Sequence, residues 1–459
     1  MSSSIAPHTQ CSTLRSLDLW NTTLDASDVA SLAEVLMQDS TLTGLHLRCN
    51  RLGDDGASTL AQMLTQNPAL TTLHLLNNQI SDEGAITLGK ALMPNSMLTS
   101  LCLGRNWIGD EGAASLGDAL LHNSTLTSMN LDLNRIGSSG AAFFGNALMH
   151  NASLINLCLG NNQSGDSGAT SFGEMLKHNS TLISLSLASN QIGGTGAASL
   201  GNALLFNSSL INLHLENNQI GSSDINHFSL ALIQNSTLTQ LNLMYNPVGD
   251  DGAASFGNAL ALNSALTSLD LGYSQISDRG AHSLAHALTL NSTLTSLGLW
   301  HNRIGDFGAR ALADALALNP TLISLNLVYN PMSYNPVGQS HLKRIKSYLD
   351  RNRDNTAARG LTLEALLARS FAWTAIMSDF DEAKRNKAYT QIVKSGRKIK
   401  KGELGNEPIF IVDWPLFSRS VKDAGIDLKM ALREYLESES IVPSIADMVS
   451  NNVYWESSF

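Results

Sequence analysis

The side chains in this sequence that could coordinate, attack or recognise are few, and most recur at intervals of 28 residues. His46 and His74 stand one interval apart, with Cys49 and Cys102 near them in the same frame. Two imidazoles without a third ligand at a fixed spacing do not make a zinc site. Both are expected at the surface, and no metal is assigned. Asp18, Asp132, Glu216 and Asp270 scatter negative charge, but no two of them form a recognisable acid/base couple. Cysteine stops at Cys158 and histidine at His341, so residues 353–459 hold no Cys/His or Ser/His nucleophile. No Walker loop, GxSxG or HExxH occurs. The expectation is a protein that is no enzyme and needs no cofactor.

Recognition is better provided for. Met244, Tyr245, Tyr273, Trp300, His301 and Tyr329 crowd into the last four intervals, whereas the middle ones carry Cys158, Gly160, Ser186, Ala188 and Ser189. Exposed aromatics at this density are what binding hot spots use. The expected partner-contact residues are Trp20, Arg48, Asp132, Glu216, Tyr245, Asp270, Tyr273, Trp300, His301 and Tyr329. Two other readings stay open: the rings stack on one another, or they seat the C-terminal segment.

The interval that positions these residues is a repeat. The frame L-x-x-L-x-L-x-x-N starts at Leu14 and recurs every 28 residues to Leu322, giving twelve copies over residues 14 to about 349. In the third copy Leu70, Leu73 and Leu75 alternate with Thr72 and His74, the period of a short strand with its leucines inward. The ninth-position Asn (Asn50 through Asn330) is expected to form an internal ladder that satisfies turn backbone; Thr22 and Ser274 replace it twice. An acidic or hydroxyl residue (Asp54, Asp82, Asp110) then lies at helix N-cap distance, and Leu88, Ala91 and Leu92 form one apolar stripe. Asn at ten junctions, Asn67 through Asn319, is expected to end each helix in the left-handed conformation. Strands about 4.8 Å apart beside helices about 8–10 Å apart force a curve, with strands on the concave face.

The repeat resembles the ribonuclease-inhibitor class of leucine-rich repeat over roughly three quarters of the chain. That resemblance implies an α/β leucine-rich repeat solenoid, a horseshoe holding a protein partner on its concave strand face. The NST junctions, a unique C-terminal segment and the tail EYLESESIVPSIADMVSNNVYWESSF resemble leucine-rich-repeat effectors that intracellular bacteria deliver into host cells through a type IV system. A eukaryotic cytosolic protein with the same repeats stays open. Without cysteine after Cys158, the cysteine-dependent ubiquitin ligase appended to some of those effectors is excluded. The alternative is a GTPase-activating or GTPase-binding protein resembling the Ran GTPase activators, although no activating residue aligns and their long acidic tail is missing. The repeats of nucleotide-binding immune receptors are similar too, but no P-loop accompanies them.

Composition agrees with a repeat. Only 15% of residues are charged, against about 25% in an average soluble protein; Leu, Asn, Ser and Thr take their place. The net charge of -10 disfavours nucleic acid and hides a division, with residues 1–340 at -13 and residues 341–459 at +3. The expected domains are an N-terminal segment, 1–13; the repeats with a terminal capping helix, 14–352; and a small, mainly helical C-terminal domain, 353–459. A five-residue insertion at 331–335 precedes the capping helix, whose stripe is Leu342, Ile345 and Leu349. Helices are expected at 361–377, 427–439 and 443–451, and a strand at Ile409 to Val412. The basic run Lys384 to Lys401 allows an anionic contact, with a solvated surface as the plainer reading. No secretory signal or membrane span is legible, so a monomeric cytoplasmic protein with free thiols and unglycosylated Asn-x-Ser/Thr sites is expected, or one secreted into a host cytosol.

Overall fold

Each copy commits only three residues to its strand, because the next inward leucine already starts the turn. The computed structural model describes residues 15–334, 336–359, 400–404 and 407–411. Strands β1 (Ser16–Asp18) to β12 (Ser324–Asn326) form one twelve-stranded parallel sheet in chain order. Register is kept throughout, Leu73 lying opposite Leu45 and Leu101. Helices α1 (Ala26–Leu36) to α11 (Asp306–Leu318) alternate with the strands. Leu70, Leu73 and Leu75 are buried with Leu88, Ala91 and Leu92, so one copy's core is closed only by its neighbours. This is an α/β solenoid.

Three side-chain rows join the copies, and the ninth-position asparagines make the first. Asn106 Nδ2 donates to Leu75 O and Leu103 O, both at 2.9 Å, while its Oδ1 accepts from Asn78 N at 2.9 Å and Ile80 N at 3.0 Å. One amide thus satisfies two carbonyls and two N–H groups that the turn would leave unpaired.

The junction asparagines correct the expectation of left-handed helix ends. Asn67 has φ -71° and ψ 124°, and Asn123 φ -82° and ψ 126°; both are extended. Asn123 Oδ1 accepts from Thr125 N and Leu126 N, and its Nδ2 donates to Leu92 O and Asn95 O at 2.8 Å, capping the helix of the copy before, which ends at Leu92. The side chain, not a left-handed backbone, satisfies the helix end. Asn123 and Asn179 are buried, and the nitrogen that would carry a glycan is bonded to a carbonyl in both.

The acidic residues are displaced from their expected role as well. Asp82 is the first residue of α3 (Asp82–Leu92), whose N-cap is Ser81. Its Oδ1 accepts from Gly109 N at 2.7 Å and Gly112 N at 2.8 Å, so it caps the next copy's helix, α4 (Asp110–His122). The carboxylate also explains the glycine that follows. A Cβ on Gly112 would meet Asp82 Oδ1 at 2.7 Å, Ala85 Cβ at 2.9 Å and Ile108 Cγ2 at 2.9 Å. Gly→Ala inside a helix ordinarily gains about 0.5–1 kcal/mol. Gly112→Ala is expected instead to cost about 1–3 kcal/mol by overpacking, read as a lower urea midpoint; an unchanged or higher midpoint would disprove the contact.

Where the acid is missing, the next helix starts differently. Ala26, Ser138 and Ser222 occupy its position, and one copy later Gly53, Gly165 and Gly249 take positive φ (57°, 56° and 63°). Their N–H groups reach Asn78 O, Asn190 O and Ser274 O at 2.9–3.0 Å. Gly194 is the fourth gap, and there α8 (Ser222–Gln234) caps itself, Gly221 N donating to Asp224 Oδ2 at 2.8 Å.

A 3-10 turn, Pro331–Tyr334, precedes α12 (Pro336–Arg359), which buries Ile345 and Leu349 and partly buries Leu342. Asn352 continues the junction row by donating to Asn319 O at 3.0 Å and Leu322 O at 2.8 Å. The chain divides into two compact units between Arg353 and Asp354, within α12. In the second, β13 (Lys400–Leu404) pairs antiparallel with β14 (Glu407–Ile411), the latter overlapping the expected strand. The expected helices at 361–377, 427–439 and 443–451, and most of the basic run, lie outside the described residues. Among the described residues no helix is long and apolar enough to cross a membrane.

Candidate partner-binding site

The eighth residue of every copy, just before the ladder asparagine, sits at positive φ, from Asn21 (56°) to Tyr329 (59°). There the chain leaves the strand while its N–H still reaches the next copy, as Tyr273 N reaches Trp300 O at 2.9 Å. A left-handed conformation costs an ordinary residue about 1–2 kcal/mol, and Asn least. Asn stands there in four copies, at 21, 77, 161 and 217. The last four carry Tyr245, Tyr273, His301 and Tyr329 instead, at φ 51–59°.

Their rings form a ladder at the spacing of the copies. Tyr245 stacks on Tyr273 with centroids 4.1 Å apart, and Tyr273 on His301 at 3.6 Å with the planes 10° from parallel. Tyr329 continues the row at 6.1 Å, tilted by 52°. Trp300 stands edge-on to Tyr273, its centroid 4.7 Å away. The reading that the rings stack on one another is therefore met, yet Tyr245 remains 40% exposed and Tyr329 59%. Stacking occupies the ring faces; the exposed edges are left to meet a partner.

Two glycines make room for this arrangement, and neither is among the site residues expected from the sequence. A Cβ on Gly272 would run into the Trp300 indole, and one on Gly298 into the Asp270 carboxylate. The signal is legible all the same: each is a glycine at an outward strand position with a bulky side chain one copy away.

The carboxylates lie on the same strand face. Asp270 accepts from Gly272 N at 2.9 Å, and Asp132 from Gly160 N at 2.6 Å and Asn130 Nδ2 at 3.0 Å. Glu216 keeps its Oε2 buried without a hydrogen-bond partner, with the His214 Nδ1 atom 3.9 Å away. Burial pushes all three carboxyl groups above the usual range. Burial likewise raises Cys102, and Cys158 to about 11, leaving unreactive thiols.

Parallel pairing in strict register decides which of the expected residues meet. Tyr245, Tyr273, Trp300, His301 and Tyr329 touch in one group, and Asp270 lies on the strand between the first and last of them. Glu216 is one copy before Tyr245, and Asp132 three copies before Glu216. Trp20, 64% exposed, and Arg48, paired with Asp18 at 3.0 Å, sit at the opposite end of the sheet. They share no site with the aromatics.

His46 and His74 bond to each other, Nδ1 to Nδ1 at 2.9 Å, with ring centroids 4.5 Å apart. Among the described residues no group of three or more His, Cys, Asp or Glu is placed to hold a metal ion. Burial, then the charges of His46 and Arg48, holds His74 below its ordinary pKa of 6.5. The unfolded chain therefore binds a proton that the folded one refuses, and stability is lost as pH falls below about 6.5. The urea midpoint is expected to drop between pH 7 and pH 5, and His74→Asn to flatten that slope. An equally steep slope in the variant would refute the assignment.

Eight segments of the chain match the family described as Leucine Rich repeat, at residues 38–61, 66–89, 95–117, 122–145, 178–201, 234–257, 262–285 and 290–313. No curated protein matches the chain. Among solved structures, an internalin from Listeria monocytogenes is similar over 69% of this chain and 82% of its own, with 21% identity and a TM-score of 0.42. The tropomodulin C-terminal domain of Caenorhabditis elegans is similar over 36% of this chain and 98% of its own (14% identity, TM-score 0.32). Actin-binding site 2 of leiomodin-1 is similar over 49% and 95% (16% identity, TM-score 0.25).

Proposed function

Because this chain is a leucine-rich-repeat protein, we propose that it is an interaction scaffold that holds a protein partner on its strand face, at the C-terminal copies. The observation that carries this reading is the ring ladder. Four bulky rings occupy positive-φ positions where asparagine serves four other copies, and Tyr245, His301 and Tyr329 remain exposed. Strain retained at an exposed position is what a functional surface shows, because folding alone favours the residue that relieves it. The partner-contact residues are Tyr245, Tyr273, Trp300, His301 and Tyr329, with Glu216 and Asp270 beside them. Asp132 is an outlying contact on the same face. Trp20 and Arg48 would serve a separate contact at the other end.

The strand face is the concave one on spacing grounds, strands lying about 4.8 Å apart and helices about 8–10 Å. A concave surface built from rigid strands presents side chains at fixed intervals with little entropy to lose on binding. Resemblance of the repeats and tail to delivered effectors makes a host protein the first partner to seek. The test is capture from host-cell lysate on the immobilised full-length chain, beside a variant lacking the rings. A partner held equally by both would overturn this site.

A further inference from the structure

The ring ladder adjoins a surface of one sign. The outward third, fifth and seventh positions of the last eight copies hold three carboxylates, Asp132, Glu216 and Asp270, and no lysine or arginine. Among the described residues no Lys or Arg pairs with any of the three. Glu216 keeps one carboxylate oxygen buried and without a hydrogen-bond partner, the His214 ring nitrogen standing 3.9 Å from it. Asp270 is held over Gly298, one strand before Trp300's own tip packs back over Gly272. Half-buried carboxylates without a lysine or arginine partner gain most from a cation that arrives with its own hydrogen bonds.

Resting on the scaffold reading above, we infer that the occupant of this site is an extended, basic segment of the protein partner. Its lysine or arginine side chains reach Glu216 and Asp270, and its apolar side chains lie along the edges of the ring ladder. Charge complementarity selects the occupant: the repeats carry -13 over residues 1–340, which disfavours acidic peptides and nucleic acid alike. Geometry selects its form. Four strand intervals separate the Glu216 copy from the Tyr329 copy, about 19 Å across the sheet. A segment of about six extended residues spans that distance.

The experiment uses the full-length chain and two sets of fluorescein-labelled synthetic peptides, read by fluorescence anisotropy. One set alternates Lys or Arg with Leu or Phe; the other replaces each basic residue by Glu. The basic set is expected to bind at least tenfold more tightly and to weaken with added salt. Glu216→Gln combined with Asp270→Asn should lose at least tenfold in affinity for it, since the amides keep an acceptor for Gly272 N–H but not the charge. Equal binding of the two sets, binding of neither, or an unaffected double variant overturns the inference. Lysate capture separates the two readings. If the double variant keeps a partner that the ring-less variant loses, the scaffold stands and the basic occupant falls; if the ring-less variant keeps it, the scaffold site itself falls.

Discussion

Replacing Tyr245, Tyr273, His301 and Tyr329 together by asparagine is expected to abolish partner binding while moving the urea midpoint hardly at all. The two halves of this result have separate causes. On the folding side, unstacking each ring pair removes about 0.5–1.5 kcal/mol, but each asparagine recovers part of the about 1–2 kcal/mol that a left-handed ring residue forgoes. Asn21, Asn77, Asn161 and Asn217 already show that the turn accepts this residue. The net change is expected within about 1 kcal/mol. On the binding side nothing compensates: truncating a hot-spot ring costs about 2 kcal/mol or more, and two such truncations already weaken a complex roughly a thousandfold. Titration of a captured partner against both proteins, with urea unfolding alongside, checks it. Retained affinity would remove the site, and a large fall in the midpoint would mark the ladder as a brace of the last copies.

Asparagine rather than alanine makes the experiment discriminating, and that choice is invisible in the sequence. The eighth position reads there as Asn, Cys, Arg, Leu, Ser, Tyr and His, with nothing to reveal a shared positive φ. Leu73, Leu101 and Asn106, by contrast, belong to core and ladder on spacing alone, because burial and internal hydrogen bonding recur with the period of the chain. The register-locked sheet follows from that period, as does the grouping of rings 28 residues apart. What spacing cannot show is any bond running between copies in the direction opposite to the obvious one. Asp82 looks like the cap of its own helix and caps the next. Asn123 looks like a left-handed helix end and instead donates its side chain to the helix before it. Both misreadings treat a copy as self-contained, whereas a repeat satisfies its backbone through its neighbours.

That dependence yields the second large effect, in which one substitution has two outcomes set by the neighbouring copy. Asn106 and Asn78 are adjacent rungs of the same ladder, and serine already replaces such a rung at Ser274. At Asn106 the Oδ1 atom accepts two buried N–H groups, from Asn78 and Ile80. Serine is too short to reach them, and two unsatisfied buried donors at about 1–3 kcal/mol each make an expected loss of about 2–6 kcal/mol. At Asn78 the Oδ1 atom is buried with no hydrogen-bond partner; the copy before it starts its helix at Gly53, whose N–H goes to the Asn78 carbonyl. Its Nδ2 donates to Leu47 O, which Asn50 Nδ2 also serves at 3.0 Å. Asn78→Ser is therefore expected to cost under about 1 kcal/mol. Ser274 has the same surroundings as Asn78: the preceding copy starts at Gly249, again left-handed, and Gly249 N donates to the Ser274 carbonyl at 2.9 Å. Urea unfolding of the two single variants, with amide exchange at Ile80 as the local reading, compares them directly. Equal losses at the two rungs would mean that the type of helix start does not decide what a rung must supply. The expected inequality traces the tolerance of a rung to the residue at 26, where alanine stands in place of the capping aspartate two copies away.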